Sequence, residues 1–358
     1  MNRYFLYLVL SNMMTNTIIF VPKILIEDRY DGAVMGIIIA IPLGLVLMII
    51  SSKLMGKFPE QALPELLEKT FGNKFKIAVL ICLACIWYSA GLITLLGYID
   101  IINRYINPEI GQFLLMLPFL GSILFVIQLT TQKVMYLLEM ILFINTPLIV
   151  FLIFKAYTSE NLNWNSILEV GTHWLAPPNF EAVAAASYAF SGYANVLIFN
   201  RLFKEKIKNR NFVAIFFLVI FNLFTTFFIP IGIHGADGAQ EYLYPWISTA
   251  DSLRMTYGPI ERVIFIFLMF YLSITLLSVS VHWHVTLEFL KGLSANGLSN
   301  KQKWLILVIF SGLSILAVLN ITTLQLIQFV DYWLQLRVGV EISIILLIFI
   351  IGRRQKKK

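Results

Sequence analysis

The sequence predicts an all-α membrane protein of about ten transmembrane helices, arranged as two five-helix halves of opposite orientation, a 5+5 inverted-repeat fold. Three observations predict it. Of 358 residues, 59% are hydrophobic and only 13% charged, with a mean hydropathy of +0.81, more apolar surface than one soluble core hides from water. The apolar runs are continuous, as from Val34 to Ile50 and from Ile342 to Ile351. A membrane barrel would alternate apolar and polar residues, so helices are the remaining way to pair the backbone inside lipid. Finally, a long polar excursion follows the second span of each half, Lys53 to Lys76 and Ile233 to Glu261.

Spans near 20 residues long fall, in order, at about 4–25, 33–52, 77–98, 111–127 and 135–154, then at 181–200, 212–232, 262–287, 303–320 and 324–351. Arg3 before the first apolar run resembles the start of a signal peptide. Its centre is polar, however, and no small-residue cleavage site follows, so it counts as a helix. With the N-terminus inside, 20 Lys and Arg residues fall on the cytoplasmic side against 6 outside, leaving Arg337 within a span. The positive-inside rule therefore places both termini in the cytoplasm. The net charge of +7 is accounted for by these loops and the basic tail 353–358, so it requires no nucleic acid. The acidic Glu160 and Glu169 mark 161–178 as an ordered external loop.

Each excursion holds a proline that opens a short helix-like stretch, Pro64-Glu65-Leu66-Leu67 and Pro245-Trp246-Ile247. Because five is odd, the first excursion lies inside and the second outside, as inverted repeats require. The chain reads as a single transmembrane domain, with repeats at 1–155 and 181–352. Loops of unequal length in any ten-helix protein are the competing explanation.

Inverted-repeat carriers bind at the bilayer midplane, where the first helix of each half is interrupted. In the first span, Ser11-Asn12-Met13-Met14-Thr15-Asn16-Thr17 supplies five polar side chains between apolar flanks. In the sixth, Ser187-Tyr188-Ala189-Phe190-Ser191-Gly192-Tyr193 supplies small residues and aromatic rings. Amides freed near a half-helix start attract a carboxylate and freed carbonyls an ammonium group, so a small zwitterion such as an amino acid suits both. The alternative is that Asn12, Asn16 and Ser191 join helices by hydrogen bonds.

These residues resemble a known family. Over essentially its whole length the chain is similar to the integral-membrane B subunit of nutrient germinant receptors of spore-forming bacteria, a branch of the amino acid/polyamine/organocation transporter superfamily. The resemblance rests on the ten-span layout, Ile18-Ile19-Phe20-Val21-Pro22, Asp31-Gly32, Phe190-Ser191-Gly192-Tyr193, and Tyr244-Pro245 with Leu253-Arg254. It implies a LeuT-like fold without cofactor. It also implies a ligand pocket formed by Asn12, Thr15, Asn16 and Thr17 with Phe190, Ser191, Gly192 and Tyr193. The third and eighth helices complete it with Gly97, Tyr98, Ser273 and Thr275, and Ser278 and Ser280 are candidates for an ion site. Relatives often carry a Gly-x-Gly-like break before the first-helix proline; here Thr15-Asn16-Thr17 stands in its place. The implied partners are an A subunit with soluble domains and a C-subunit lipoprotein, in the inner membrane of the spore.

The last span holds Gln328, Asp331, Gln335, Arg337 and Glu341, and intramembrane charges mark candidate functional positions. Arg337 and Glu341, four apart, share a helix face and can neutralise each other. Asp331 lies on another face and suits gating or partner binding. Cys82 and Cys85 have C-x-x-C spacing in an apolar span without a second ligand pair, which reads as small core residues. His282 and His284 point to different faces and read as packing near the inner end of the eighth helix, with Glu288 one turn beyond His284 as its partner. No nucleotide-binding, zinc-protease or nucleophile-elbow motif occurs.

Three function classes compete: a sensor that binds a small nutrient and signals through differential affinity for two conformations, a proton- or sodium-coupled amino acid transporter, and a membrane enzyme. The enzyme lacks a clustered catalytic set. Coupled relatives carry a lysine in the fifth helix, where this chain has Glu139 and no interior lysine, which favours the sensor.

Overall fold

The computed structural model describes residues 2–254, 261–294 and 297–355, apart from the side chains of residues 2, 16 and 17. Every predicted span is helical. The first comprises α1 (Asn2–Ile19) and α2 (Val21–Glu27), parted at Phe20. The interruption therefore lies beyond the polar stretch in which it was expected, and Ser11 to Thr17 is unbroken helix. The reason is local: that stretch has neither glycine nor proline, and the Thr15 hydroxyl folds back onto its own helix, donating to the Ser11 carbonyl at 2.8 Å. Pro22 is the first residue without an N–H, and helix restarts with it in the first turn.

α3 (Ala33–Met55) begins after Gly32, whose φ of +100° is a left-handed conformation. A Cβ there would also lie 2.2 Å from the Pro177 carbonyl oxygen. The first excursion folds as α4 (Leu63–Thr70), with Pro64 in its first turn as the sequence predicts. α5 (Asn73–Tyr105), α6 (Gln112–Val126) and α7 (Thr131–Tyr157) complete the first five spans. The following loop is ordered around α8 (Trp164–Gly171).

The sixth span starts as α9 (Phe180–Ser187), tightens to 3-10 geometry over Tyr188–Asn195, and resumes as α10 (Val196–Phe199). α11 (Asn209–His234) precedes the second excursion, which forms α12 (Pro245–Ser252), opened by Pro245. α13 (Val263–Lys291), α14 (Asn300–Asn320) and α15 (Thr323–Gln355) follow.

Lipid tails are as apolar as leucine, so close packing and polar contacts hold the bundle together rather than hydrophobic burial. α5 and α13 meet where Gly91 admits Trp283, whose ring stacks on Tyr88 at 5.2 Å. α1 crosses the 3-10 segment at Gly192, where a Cβ would stand 2.3 Å from the Leu8 carbonyl oxygen and 2.6 Å from Val9 Cα. α1 and the Tyr188–Asn195 segment are thus enclosed by the other helices, whereas α14 and the outer faces of α6 and α7 carry exposed apolar side chains suited to lipid. Cys82 and Cys85 correct the sequence reading. Both are exposed on the outer face of α5 rather than in the core, because the buried face of that helix runs through Leu83, Ala84 and Trp87.

Candidate functional site

A polar cavity of about 30 Å³ lies between α1, α5, the 3-10 segment, α13 and α15. Its wall includes Asn12, Trp87, Tyr188, Ser191, Asn195, His282, Trp333, Arg337 and Glu341. The 3-10 geometry disturbs the regular carbonyl ladder. Asn12 Nδ2 donates to the Tyr188 carbonyl at 3.0 Å, and Trp87 Nε1 donates to Asn195 Oδ1 at 2.8 Å.

Across the cavity, Arg337 and Glu341 form a buried ion pair at 2.9 Å, each about 5% exposed. The helical spacing of four residues sets them on one face, as predicted. Arg337 also donates to Ser187 Oγ at 2.7 Å, to the Ala184 carbonyl at 2.9 Å and to Ser191 Oγ. Glu341 accepts from the Tyr193 hydroxyl at 3.0 Å. An isolated charge would be prohibitive at this depth, whereas a paired and multiply hydrogen-bonded one is tolerated. The pair fastens α15 to the part of the sixth span that has lost α-helical geometry.

A second, apolar cavity of about 10 Å³ adjoins this one at the Phe20 break, lined by Phe20, Val21, Ala90, Ile93, Tyr188, Val330, Trp333 and Leu334. Ala90, Tyr188 and Trp333 border both cavities.

Polar ties close the bundle at both ends. At the end carrying the second excursion, Arg29 pairs with Asp237 at 2.7 Å, and Lys23 donates to the Gln240 carbonyl at 2.7 Å. The Tyr244 hydroxyl donates to Asp100 at 2.8 Å, where Arg104, Gln112 and Thr323 also donate. These contacts bind α2 and α5 to the segment leading into α12. Arg29 holds the Asp237 carboxyl below the usual carboxylate range, whereas burial raises Asp28 despite the hydrogen bond that it accepts from Asn179. At the basic end, Asn200 Nδ2 donates to the Phe58 and Gln61 carbonyls at 2.7 and 2.8 Å. Arg201 bridges Glu65 and Glu288, and Arg3 pairs with Glu139 at 3.0 Å.

The predicted site residues divide accordingly. Asn12, Ser191, Arg337 and Glu341 border the polar cavity, and Tyr193 reaches it through Glu341. Gly192 serves the α1 crossing, and Phe190 packs where Gly44 leaves room on α3. Gly97 accommodates the Phe20 ring, while Tyr98 donates to the Leu268 carbonyl at 3.3 Å. Ser273 joins α13 to α7 through Asn145 at 2.8 Å. Thr275, Ser278 and Ser280 are buried in α13, and no partner satisfies the Ser278 hydroxyl. The Thr15 carbonyl accepts from Tyr271 at 2.9 Å. The side chains of Asn16 and Thr17 lie outside the described residues. Asp331 is tied to Gln335 at 3.0 Å, away from the cavity.

Sequence reasoning missed Trp87, Asn195, His282 and Trp333 as cavity residues, and Tyr188, which the sequence set in the interrupted sixth-span stretch, is brought onto the cavity wall. The spacing of Trp333 and Arg337, four apart, could have paired them. His282 corrects the packing reading, since it borders the cavity with Nδ1 bonded to the Ser278 carbonyl at 2.7 Å. His284 does pack, but against the Ile127 carbonyl and Thr131 rather than Glu288. Glu288 instead takes Arg201 and Lys291. Among the described residues no cluster of His, Cys, Asp and Glu is arranged to hold a metal ion.

The family model described as spore germination protein matches residues 2–326. Among solved structures, the chain is similar to MhsT in complex with L-phenylalanine, at 15% identity and a TM-score of 0.54, over 93% of this chain and 86% of that one. No curated protein matches. The fold is therefore the all-α LeuT-like transporter fold expected from the sequence.

Proposed function

Since the chain belongs to the spore germination protein family, we propose that it is the nutrient-binding membrane subunit of a germinant receptor. It binds a small nutrient, an amino acid, in the midplane cavity and triggers germination together with an A subunit and a C-subunit lipoprotein. On this reading it resides in the inner membrane of the spore with both termini cytoplasmic. The halves 1–155 and 181–352 then meet around the Phe20 break and the Tyr188–Asn195 segment.

One observation carries the proposal: a polar, charge-containing cavity sits against non-α backbone in the membrane interior, behind ties at both ends. Burial of an ion pair together with Asn, Ser and His side chains is costly in lipid and is favoured where ligand recognition requires it. MhsT, whose fold this chain shares, is described in complex with an amino acid, which supports the ligand class. Differential affinity of the cavity for open and closed conformers would convert binding into a signal.

The paired closures also favour a second reading, an amino acid transporter coupled to protons or sodium, because alternating access needs two opposed sets of contacts that break in turn. The unsatisfied Ser278 hydroxyl and nearby Ser280 are then the candidate sodium ligands. Germination of a deletion strain tested against amino acids and sugars decides the receptor role; retention of every response overturns it. Concentrative uptake of labelled amino acid by the lone protein in liposomes selects the transporter.

A further inference from the structure

A third cavity lies away from the polar one. It encloses about 270 Å³ between α1, α7, α11, α12 and α13, nearly twice the roughly 150 Å³ with which a dry apolar cavity holds benzene. On α1 it takes Leu10, Met14 and Ile18, each four residues from the next. Asn12, which borders the polar cavity, is two residues from Leu10 and Met14, or about 200° round the helix. α1 therefore stands between the two cavities.

The wall grades from core to lipid. Met13, Trp246, Phe267 and Phe270 form a floor no more than 7% exposed, whereas Leu218, Phe221 and Val150 form a mouth and are 38%, 47% and 61% exposed. That mouth lies between α7 and α11, whose outer faces carry the exposed rings of Phe154 and Phe217. The two helices meet at Tyr157, which is bonded to Thr225 at 2.9 Å and stacked on Phe221 at 6.3 Å. Because the α7 lining, Thr146 to Ile153, precedes Tyr157, the mouth opens on the bilayer-centre side of that contact.

The few polar groups of the wall are spent on the protein. The Thr146 hydroxyl donates to the Leu142 carbonyl at 2.6 Å, the Thr226 carbonyl accepts from Trp246 Nε1 at 3.0 Å, and the Asn222 carboxamide oxygen is buried away from the space. Water or a zwitterion would find few partners there. A void would forfeit the dispersion contacts of its lining, and hydrocarbon stands at the mouth. The lining from Leu10 to Ile18 and from Leu218 to Thr226 rises about 12 Å on each helix, most of the roughly 15 Å hydrocarbon depth of one leaflet. Leu218 to Thr226 is also central in α11, at the depth where acyl chains end.

We infer that this slot binds the terminal part of a membrane phospholipid acyl chain, inserted sideways between α7 and α11 and ending against Met13 and Trp246. Lipid then packs on one face of α1 while the polar cavity lies on the other.

The test is photo-crosslinking of the full chain in phosphatidylglycerol nanodiscs that contain one of two diazirine phospholipids, with the reactive group near the chain terminus or near the ester. Adducts are mapped by mass spectrometry. The terminal probe should label buried Met13 and Trp246 as well as exposed Ile309 and Leu313 on α14, and the ester-proximal probe should spare Met13 and Trp246. Leu218→Trp and Ile153→Trp, which fill the slot from either wall, should lose the Met13 and Trp246 adducts and keep those on α14, which report an intact lipid-facing surface. Terminal-probe adducts confined to exposed residues overturn the inference, and so does survival of the Met13 and Trp246 adducts in both filled variants. Where a filled variant does not insert, the contrast between the two probes on the wild type decides alone.

Discussion

Removing one partner of the Arg337–Glu341 pair is the most direct test of how the site is built. In Arg337→Met the carboxylate of Glu341 remains buried, keeping the Tyr193 hydroxyl but losing its counter-ion, and Ser187, Ser191 and the Ala184 carbonyl lose their donor. Breaking a buried pair from one side costs about 3–5 kcal/mol, because the abandoned charge stays desolvated. Replacing both partners with apolar groups of similar volume is close to neutral. At roughly 1.3 °C per kcal/mol for a chain of this size, Arg337→Met and Glu341→Leu should each lower the melting temperature in nanodiscs by about 4–7 °C. The Arg337→Met/Glu341→Leu double variant should recover most of that loss while losing nutrient binding. The readout is a thermal-melt double-mutant cycle, which isolates the coupling between the two positions. Single variants within about 2 °C of wild type, or a double variant as unstable as the two losses combined, would refute a desolvated pair fastening α15 to the 3-10 segment.

Other outcomes follow from the geometry. Gly192→Ala places a Cβ against the α1 backbone at 2.3 Å, which cannot yield as a side chain can. Thermal melts should show a loss of about 1–3 kcal/mol, as for overpacking. Tyr244→Phe removes one of the donors to buried Asp100, and chemical denaturation should register about 1.5–3 kcal/mol, the worth of a hydrogen bond to a charge. The Asp237 carboxyl is held below its ordinary 3.8 by Arg29, so its contribution is present above pH 3.8 and fades as the pH falls through the lower folded value. The melting difference between wild type and Asp237→Asn should accordingly be constant from pH 5 to 7 and close below about pH 4; a gap independent of pH would exclude the ion pair as its source. Cys82 and Cys85, exposed on the outer face of α5, should react with a lipid-soluble maleimide without loss of secondary structure by circular dichroism.

The ten spans, the membrane class and the short helices of both excursions were legible in the sequence, because bilayer thickness sets helix length and proline sets helix starts locally. Arg337 and Glu341 could be paired from spacing alone, since an α-helix repeats every 3.6 residues. The position of the first break was misplaced: polar residues were read as unwinding the helix, whereas they bond back to it and Pro22 ends it.

What the sequence by itself determined is which segments span and which of their residues are too polar for lipid, since both follow from transfer out of water. Only the tertiary structure decided which polar residues share a cavity. Trp87, Asn195, His282 and Trp333 come from four different elements, and Ser273, Tyr98 and Asp331 were drawn into helix contacts instead. Hydropathy and periodicity are properties of one helix, but a site between helices depends on their rotation and crossing. Those are set by close-packed contacts such as Gly192 on α1 and Gly91 on Trp283, which join residues far apart in the chain.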